Sequence, residues 1–370
     1  KILILVQDNG TKEYFSHLLP ELGIKNITIH TFADWVMSVL DLQNYNYQNH
    51  IEINEEERDY LEYYKLQSLK DIPEQKYSSN IFFLLEKTYQ NLPTKYLKII
   101  KQQKENNILD RIDLTILLQI FKKTHGDITI MQEYYQLKKR GASQKKVGRF
   151  PALYDLIIFD EFQNYLPTQI KIIKSCLNPE NNSLMYVGDM NQKTQLGTIN
   201  DWTEIGENLK EDRKVVLDKV YRNSRQILEY IKKLGYQIAI PDNLKDGTQV
   251  TEKVFEDIDD EIKYVKKNLQ LKAINGILVR NKNYLKKYKE EFKKEKNIHI
   301  LAMDEIQGIE FDTVFLVGIK KQDILSANKI ELTDLKIEKE KIDRDLLYVA
   351  LTRATNNLFV LGREKLSKIL

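Results

Sequence analysis

The chain contains one cysteine, Cys176, in 370 residues. That excludes a disulfide framework and any cysteine-based metal cluster, and it fits a reducing, cytoplasmic setting. The five histidines are scattered without ligand spacing. No apolar run approaches the roughly 18 residues that a membrane span requires. Residues 1–6, KILILV, are too short for a signal peptide and run straight into polar sequence. The net charge is only +3, so no global polycation argues for nucleic acid, and any basic footprint must be local. No repeats or low-complexity segments stand out. A G-x-x-x-x-G-K-[ST] phosphate-binding loop is also missing; the nearest stretch, DNGTKEY, has one glycine and follows its strand in the wrong context.

What is present fits two or three domains, each with its own core. Short apolar runs bounded by polar residues or glycine occur at Ile2–Val6, Leu156–Phe159, Leu184–Gly188, Gly276–Arg280, Thr313–Gly318 and Leu358–Gly362. They predict buried parallel strands. Helical patterns separate several of them. NSRQILEYIKKLG places Ile227, Leu228, Ile231 and Leu234 on one face, with Asn223 or Ser224 as cap and Gly235 as stop. DRDLLYVALTRA repeats the pattern with Leu346, Leu347, Ala350 and Leu351. Alternating strands and helices imply α/β layers. Residues 38–150 are different: rich in Tyr, Gln, Asn, Lys and Glu, helical in SNIFFLLEKTY and LTILLQIFKK, and poor in strand signal. They read as a helical insertion in the first α/β domain. Its basic end, LKKRGASQKKVGRF, is either a solvated loop or a phosphate-contacting one through Lys145, Lys146 and Arg149.

The stretch YDLIIFDEFQNYLPTQ ends a strand on two adjacent acids, Asp160 and Glu161, with Gln163 close behind. Like charges side by side repel, and removing them from water is unfavourable without compensation. Taken alone, the acids are either solvated where the strand surfaces, or they hold a divalent cation and activate a water.

The motif order bears on that choice. A strand with DEFQ is followed by a strand with GDMNQ, then VYRNSRQI, DEIQGIEFDTVFL and DLLYVALTRATNNLFVLG. This ordered series resembles that of superfamily 1 helicases of the UvrD/Rep type. The N-terminal LPELG and TFADW, like DEFQNYLPTQI, are similar to HelD, the helicase-like ATPase that associates with bacterial RNA polymerase. The resemblance implies Mg²⁺ held by Asp160 through its waters, with Glu161 orienting or deprotonating the attacking water. Gln163 and Gln192 would sense the γ-phosphate. Tyr221 would stack on adenine and Glu310, after Gly308, would accept a ribose hydroxyl. Arg222 and Arg353 would clamp the γ-phosphate, a role that contributes about 10³–10⁵ in rate. Other roles stay open for these residues: Arg353 at a helix C-terminus, Tyr221 in the core, and Gly308 serving a turn.

Several positions depart from the family. The His-x-x-Lys-Gly-Leu-Glu segment stands here as DEIQGIE, with Asp304 at the His position and Gln307 at the Lys position. The aromatic–Arg–Gly–Ala segment is replaced by KTQLGTINDW, in which Trp202 is either a base-stacking aromatic or part of the core. In the family the phosphate loop precedes the strand ILILV. The chain opens on Lys1 and not on Met, and therefore reads as a fragment beginning just after that loop.

The expectation is an α/β protein of two RecA-like, P-loop NTPase-type domains with parallel sheets. The first would comprise 1–37 and 151–217, interrupted by the helical insertion 38–150, and the second 218–370. ATP and Mg²⁺ would lie between the domains. DNA, as a single strand, would cross them near Thr31, Phe32 and the basic loop. The implied activity is ATP-dependent helicase or translocase action. The alternatives are an ATPase remodelling RNA polymerase and a non-catalytic scaffold.

Overall fold

A computed structural model of the chain describes residues 1–370 except 25, 26, 138–142, 209, 216–221, 271, 294, 296 and 307, and omits the side chains of 137, 211 and 282. The chain divides into two compact units: Lys1–Met190 with Leu196–Asn208, and Asn191–Gln195 with Leu209–Leu370. The expected boundary at 217/218 falls outside the described residues. Among those described, no helix is long and apolar enough to cross a membrane.

The first unit contains β1 (Ile2–Val6), β2 (Ile27–Thr31), two-residue pairs β3 (Asn46–Tyr47) and β4 (Ile108–Leu109), β5 (Thr129–Leu137), β6 (Ser143–Pro151), β7 (Leu156–Phe159) and β8 (Ser183–Tyr186). Its main sheet runs β2-β1-β7-β8, with every pair parallel. Leu3, Leu5, Ile157 and Phe159 are fully buried because a parallel sheet is covered on both faces. They share one hydrophobic cluster with Leu84, Ile112 and Leu117 of the helical segment. The insertion is thus fused to the core of the sheet it interrupts.

Its helices are set by local signals. Asn54 accepts from the backbone of Glu57 at 2.8 Å to start Glu55–Lys70. Asp110 and Asp113 form a reciprocal capping box at the start of Arg111–His125. Between these helices lies a fully buried cation. Lys65 Nζ reaches Asp110 Oδ2 at 2.5 Å, Asp113 Oδ1 at 2.8 Å and Gln103 Oε1 at 2.9 Å. Tyr89 Oη donates to Asp113 Oδ1 at 2.6 Å. Burial opposes the charge on Lys65, but the two carboxylates outweigh it and raise its pKa.

One expectation is corrected here. Thr129–Leu137 does not continue the helical pattern and Ser143–Pro151 is not loop; as β5 and β6 they form a separate antiparallel ribbon, while 138–142 of the expected basic loop lie outside the described residues. Alternation such as Ile130-Gln132-Tyr134 against Met131-Glu133-Tyr135 is a strand period with polar residues on both faces. The apolar-run criterion therefore passes over it.

The second unit holds β9 (Thr251–Val254), β10 (Asn275–Val279), β11 (Ile298–Ala302), β12 (Phe311–Ile319) and β13 (Ala354–Gly362), in the wholly parallel order β11-β10-β12-β13-β9. The apolar runs anticipated β1, β7, β8, β10, β12 and β13. They missed β2, β9 and β11, which are all sheet edges where half-exposed residues break the run. The helix Arg225–Lys233 starts after Ser224. The other cap candidate, Asn223, donates to the carbonyls of Thr352 (2.8 Å) and Ala354 (2.5 Å). In the helix Thr333–Thr352, Leu346, Leu347, Ala350 and Leu351 are buried, as the pattern predicts.

Replacing Lys65 with Met leaves two carboxylates facing each other in the core. The expected loss is about 3–5 kcal/mol in urea unfolding, because breaking a buried ion pair strands its partner. A loss below about 1 kcal/mol would mean that the acids relax by protonation or by taking up water.

Candidate functional site

Strand β7 delivers the acid pair to the carboxyl end of its sheet, the edge where open α/β sheets place ligands. The Asp160 backbone N–H bonds Leu5 O at 2.9 Å, extending the ladder to β1 by one residue. The chain then turns sharply: Glu161 adopts φ +50°, ψ +43°, a left-handed conformation uncommon for a residue with a side chain. The turn sends Phe162 N–H to Val187 O at 3.1 Å, which brings Gln163 against the end of β8. Gln163, fully buried, donates from Nε2 to Glu161 Oε2 at 2.6 Å and accepts at Oε1 from the Asp189 backbone at 3.1 Å. Gly188 is required for this. With φ +156°, a Cβ there would stand 2.1 Å from Gln163 Oε1, and any side chain would drive the amide away.

The electrostatics are lopsided. Asp160 is half-buried, and burial, then Glu161 and Asp8, push its pKa up to about 6. Asp8 follows β1 as the cap of the helix Asn9–Glu21, accepting from Thr11 N at 2.9 Å. Negative charge therefore gathers where β1 and β7 end. Among the described residues, no group of three or more His, Cys, Asp and Glu side chains is arranged to hold a metal ion by itself. Asp160 and Glu161 are the two acids at the end of β7 that could hold a cation. β8 is the edge of this sheet, with Met185 52% and Val187 40% exposed beside the site.

Other predicted residues fall elsewhere. The Thr31 hydroxyl accepts from Asp34 N at 3.1 Å as a helix cap, and Phe32 is buried edge-to-face with Tyr165. Trp202 stacks on Phe162 at 4.7 Å and meets Tyr186, so its ring belongs to an aromatic cluster behind the acid turn. Gln192 lies in Asn191–Gln195, which is part of the second unit, where Lys193 N donates to Asp345 Oδ2 at 3.2 Å.

The second unit assembles its own cluster. Arg222, largely exposed, pairs with Glu310. Gly308 turns the chain at φ +72° with open space around it, so it serves the turn. Arg353, 8% exposed, donates from Nε to Val349 O at 3.1 Å and from Nη1 to Ile309 O at 3.4 Å. It thus closes the last turn of Thr333–Thr352 while standing beside 308–310. Three segments far apart in sequence meet here because Phe311 N bonds Arg353 O at 2.9 Å where β12 and β13 begin. Tyr221 and Gln307 lie outside the described residues. The sequence reading overlooked Gly188 and Asp8. Asp8 had a signal, an acid just past an apolar strand, the same pattern as Asp160.

Comparisons with known proteins identify the family of the chain. The viral superfamily 1 RNA helicase core domain matches residues 140–362, more than half of the chain, and the UvrD/REP helicase N-terminal domain matches residues 12–194. A probable DNA helicase II homolog of Mycoplasma pneumoniae is 29% identical over 110 residues, which are 27% of this chain and only 15% of that protein. Among solved structures, the C-terminal domain of a possible DNA helicase from Lactobacillus plantarum WCFS1 is similar at 16% identity and TM-score 0.26, covering 39% of this chain and 88% of that one. Methylated PRRSV nsp10 (helicase) is similar at 15% identity and TM-score 0.21, covering 56% and 36%. These superpositions are loose, and the assignment rests on the sequence families.

Asp160 makes a stability prediction with a definite sign. Its folded-state pKa, about 6, stands above its ordinary 3.8. The folded state therefore loses stability as pH rises through that window. Asp160→Asn should raise the thermal midpoint at pH 8, and the gain should vanish below about pH 4, where the acid is neutral in both states. Scanning calorimetry at the two pH values measures it; a gain independent of pH would locate the effect in packing.

Proposed function

Because the chain belongs to the superfamily 1 helicases of the UvrD type, whose RecA-like fold its two parallel-sheet units follow, we propose that it forms part of an ATP-driven motor that moves along or unwinds DNA. The observation that carries this reading is the turn Asp160–Gln163, an acid pair at a sheet end with a buried amide bridging Glu161 and the backbone of Asp189.

Asp160 and the negative charge around it would suit Mg²⁺, which when bound with ATP would supply positive charge against that developing on the phosphates. Asp160 would hold it. Glu161, kept in place by Gln163, would orient the attacking water and take its proton. Gln163 touches both Glu161 and the chain after β8, so it is suited to report the state of the γ-phosphate to its neighbours. Arg222 and Arg353 would supply positive charge to that phosphate, and Gln192 would contact it. Tyr221 would receive adenine, and Glu310 the ribose. Arg222 must first leave Glu310, which is feasible because an exposed ion pair contributes at most about 1 kcal/mol. A cytoplasmic setting belongs to the same reading.

The sequence carries no G-x-x-x-x-G-K-[ST] loop, the segment whose backbone N–H groups and lysine hold a triphosphate in phosphate-loop enzymes. The 370 residues alone should therefore bind Mg-ATP weakly at best and not turn it over. Calorimetry with Mg-ATP tests this, and measurable turnover would mean that other residues hold the phosphates.

In a longer chain carrying such a loop, Glu161→Gln should keep nucleotide binding and slow hydrolysis by about 10²–10⁴; unchanged turnover would remove Glu161 from catalysis. Strand-displacement activity would favour the helicase reading. Capture of RNA polymerase without displacement would favour the polymerase-remodelling alternative that the LPELG and TFADW resemblance raised.

A further inference from the structure

The β5–β6 ribbon is unexplained by the core. A two-stranded ribbon cannot bury residues between its own faces. Its base is tied down: Ala152 N bonds Ile128 O at 2.9 Å, Ile130 packs on the core, Arg149 reaches Val39 O at 3.1 Å with its guanidinium over Phe121, and Lys1 Nζ reaches Gln132 Oε1 at 3.5 Å. The outer part carries Tyr134, Tyr135 and Val147, which are 37%, 70% and 57% exposed.

The two faces differ. Register pairs Glu133 with Val147 and Tyr135 with Lys145 on one face, where Lys145 and Glu133 form an ion pair at 2.7 Å. Lys145 and Arg149, expected to meet phosphates, are thus engaged by the chain itself. The other face presents Gln132, Tyr134 and Gln136 opposite Gly148, Lys146 and Gln144, with Phe150 below. It carries a lysine, three amides and two rings, and no carboxylate. Its rings are held in place: Tyr134 and Phe150 meet edge-to-face at 5.4 Å, closing over Gly148. A Cβ on Gly148 would lie 3.1 Å from Tyr134 Cε1 and 3.4 Å from Phe150 Cε2, so glycine lets them close.

We propose that the Tyr134–Gly148–Phe150 face of the ribbon is a stacking platform for the unpaired bases of a nucleic-acid strand, with Lys146 at its phosphate. The proposal rests on the reading that the chain acts on DNA and adds where bases are met. Exposed, pre-ordered rings beside a cation and amides suit a polyanion with flat apolar faces, since stacking serves every base while phosphates take the charge.

The test compares a labelled oligothymidylate with an abasic strand of equal length and equal phosphate count, by anisotropy at fixed salt. The chain should prefer the base-bearing strand by about tenfold. Tyr134→Leu, and Gly148→Ala by wedging the rings apart, should abolish that preference and leave abasic binding unchanged; Tyr134→Phe should keep it. Lys146→Ala should weaken both strands equally. Equal binding of the two strands by the unmodified chain, or a preference that survives Tyr134→Leu, overturns the platform while leaving DNA binding intact. Failure to bind either strand overturns both readings together. Near-ultraviolet circular dichroism identifies any variant that misfolds, in which case the milder Tyr134→Leu and Tyr134→Phe pair decides.

Discussion

The site depends on one constraint: a parallel strand must end on two carboxylates that no cation pairs with among the described residues. The left-handed turn at Glu161 meets it by splitting the pair. Asp160 stays on the sheet ladder, half-buried and electrostatically exposed to Asp8, while Glu161 swings onto the Gln163 amide. Gln163 is held in turn by the backbone after β8, and that contact exists only because Gly188 has no side chain. The sheet, turn and glycine form one device, and loss of any part would release the acids into solvent.

The same unit shows how acids behave when they are compensated. Asp110 and Asp113 are more deeply buried than Asp160, yet each bonds the Lys65 ammonium, and Asp113 also accepts from Tyr89. That network joins two helices around one ammonium; burial, with the second negative charge, raises the Asp110 pKa to about 6. Around Asp160, burial first and then Glu161 and Asp8 raise the proton affinity, and no ammonium bonds the acid among the described residues. A buried acid cluster with its own cation organises structure; one without retains affinity for an outside cation. The distinction lies in the partners, since the residue types are the same.

In the second unit the roles overlap. Arg353 closes a helix and also borders the Gly308–Glu310 turn, and Arg222 rests on Glu310. Helix-terminal and functional readings of Arg353 are therefore compatible, because one guanidinium has donors enough for carbonyls and for a ligand. The ribbon is the opposite case, a segment whose exposed Tyr134 and Phe150 rings pack on each other rather than in the hydrophobic core.

The sequence by itself determined the interior strands, the α/β class and the order of chemical residues. Continuous apolar runs and acids just beyond them are local signals, and β7 with Asp160 and Glu161 was legible for that reason. It also specified the helix faces at Leu228 and Leu347, because periodicity needs no distant partner. Only the tertiary structure decided the rest. Edge strands β2, β9 and β11 exist because an interior strand offers hydrogen bonds, which no local pattern announces. Trp202 and Phe32 joined aromatic clusters because their neighbours, Phe162 and Tyr165, come from segments far along the chain, whereas Thr31 caps a helix through the nearby Asp34 backbone. A basic stretch became one strand of a ribbon because residues 129–137 pair with it. Local sequence sets what each residue can do; which of those capacities is used depends on contacts between positions that only folding brings together.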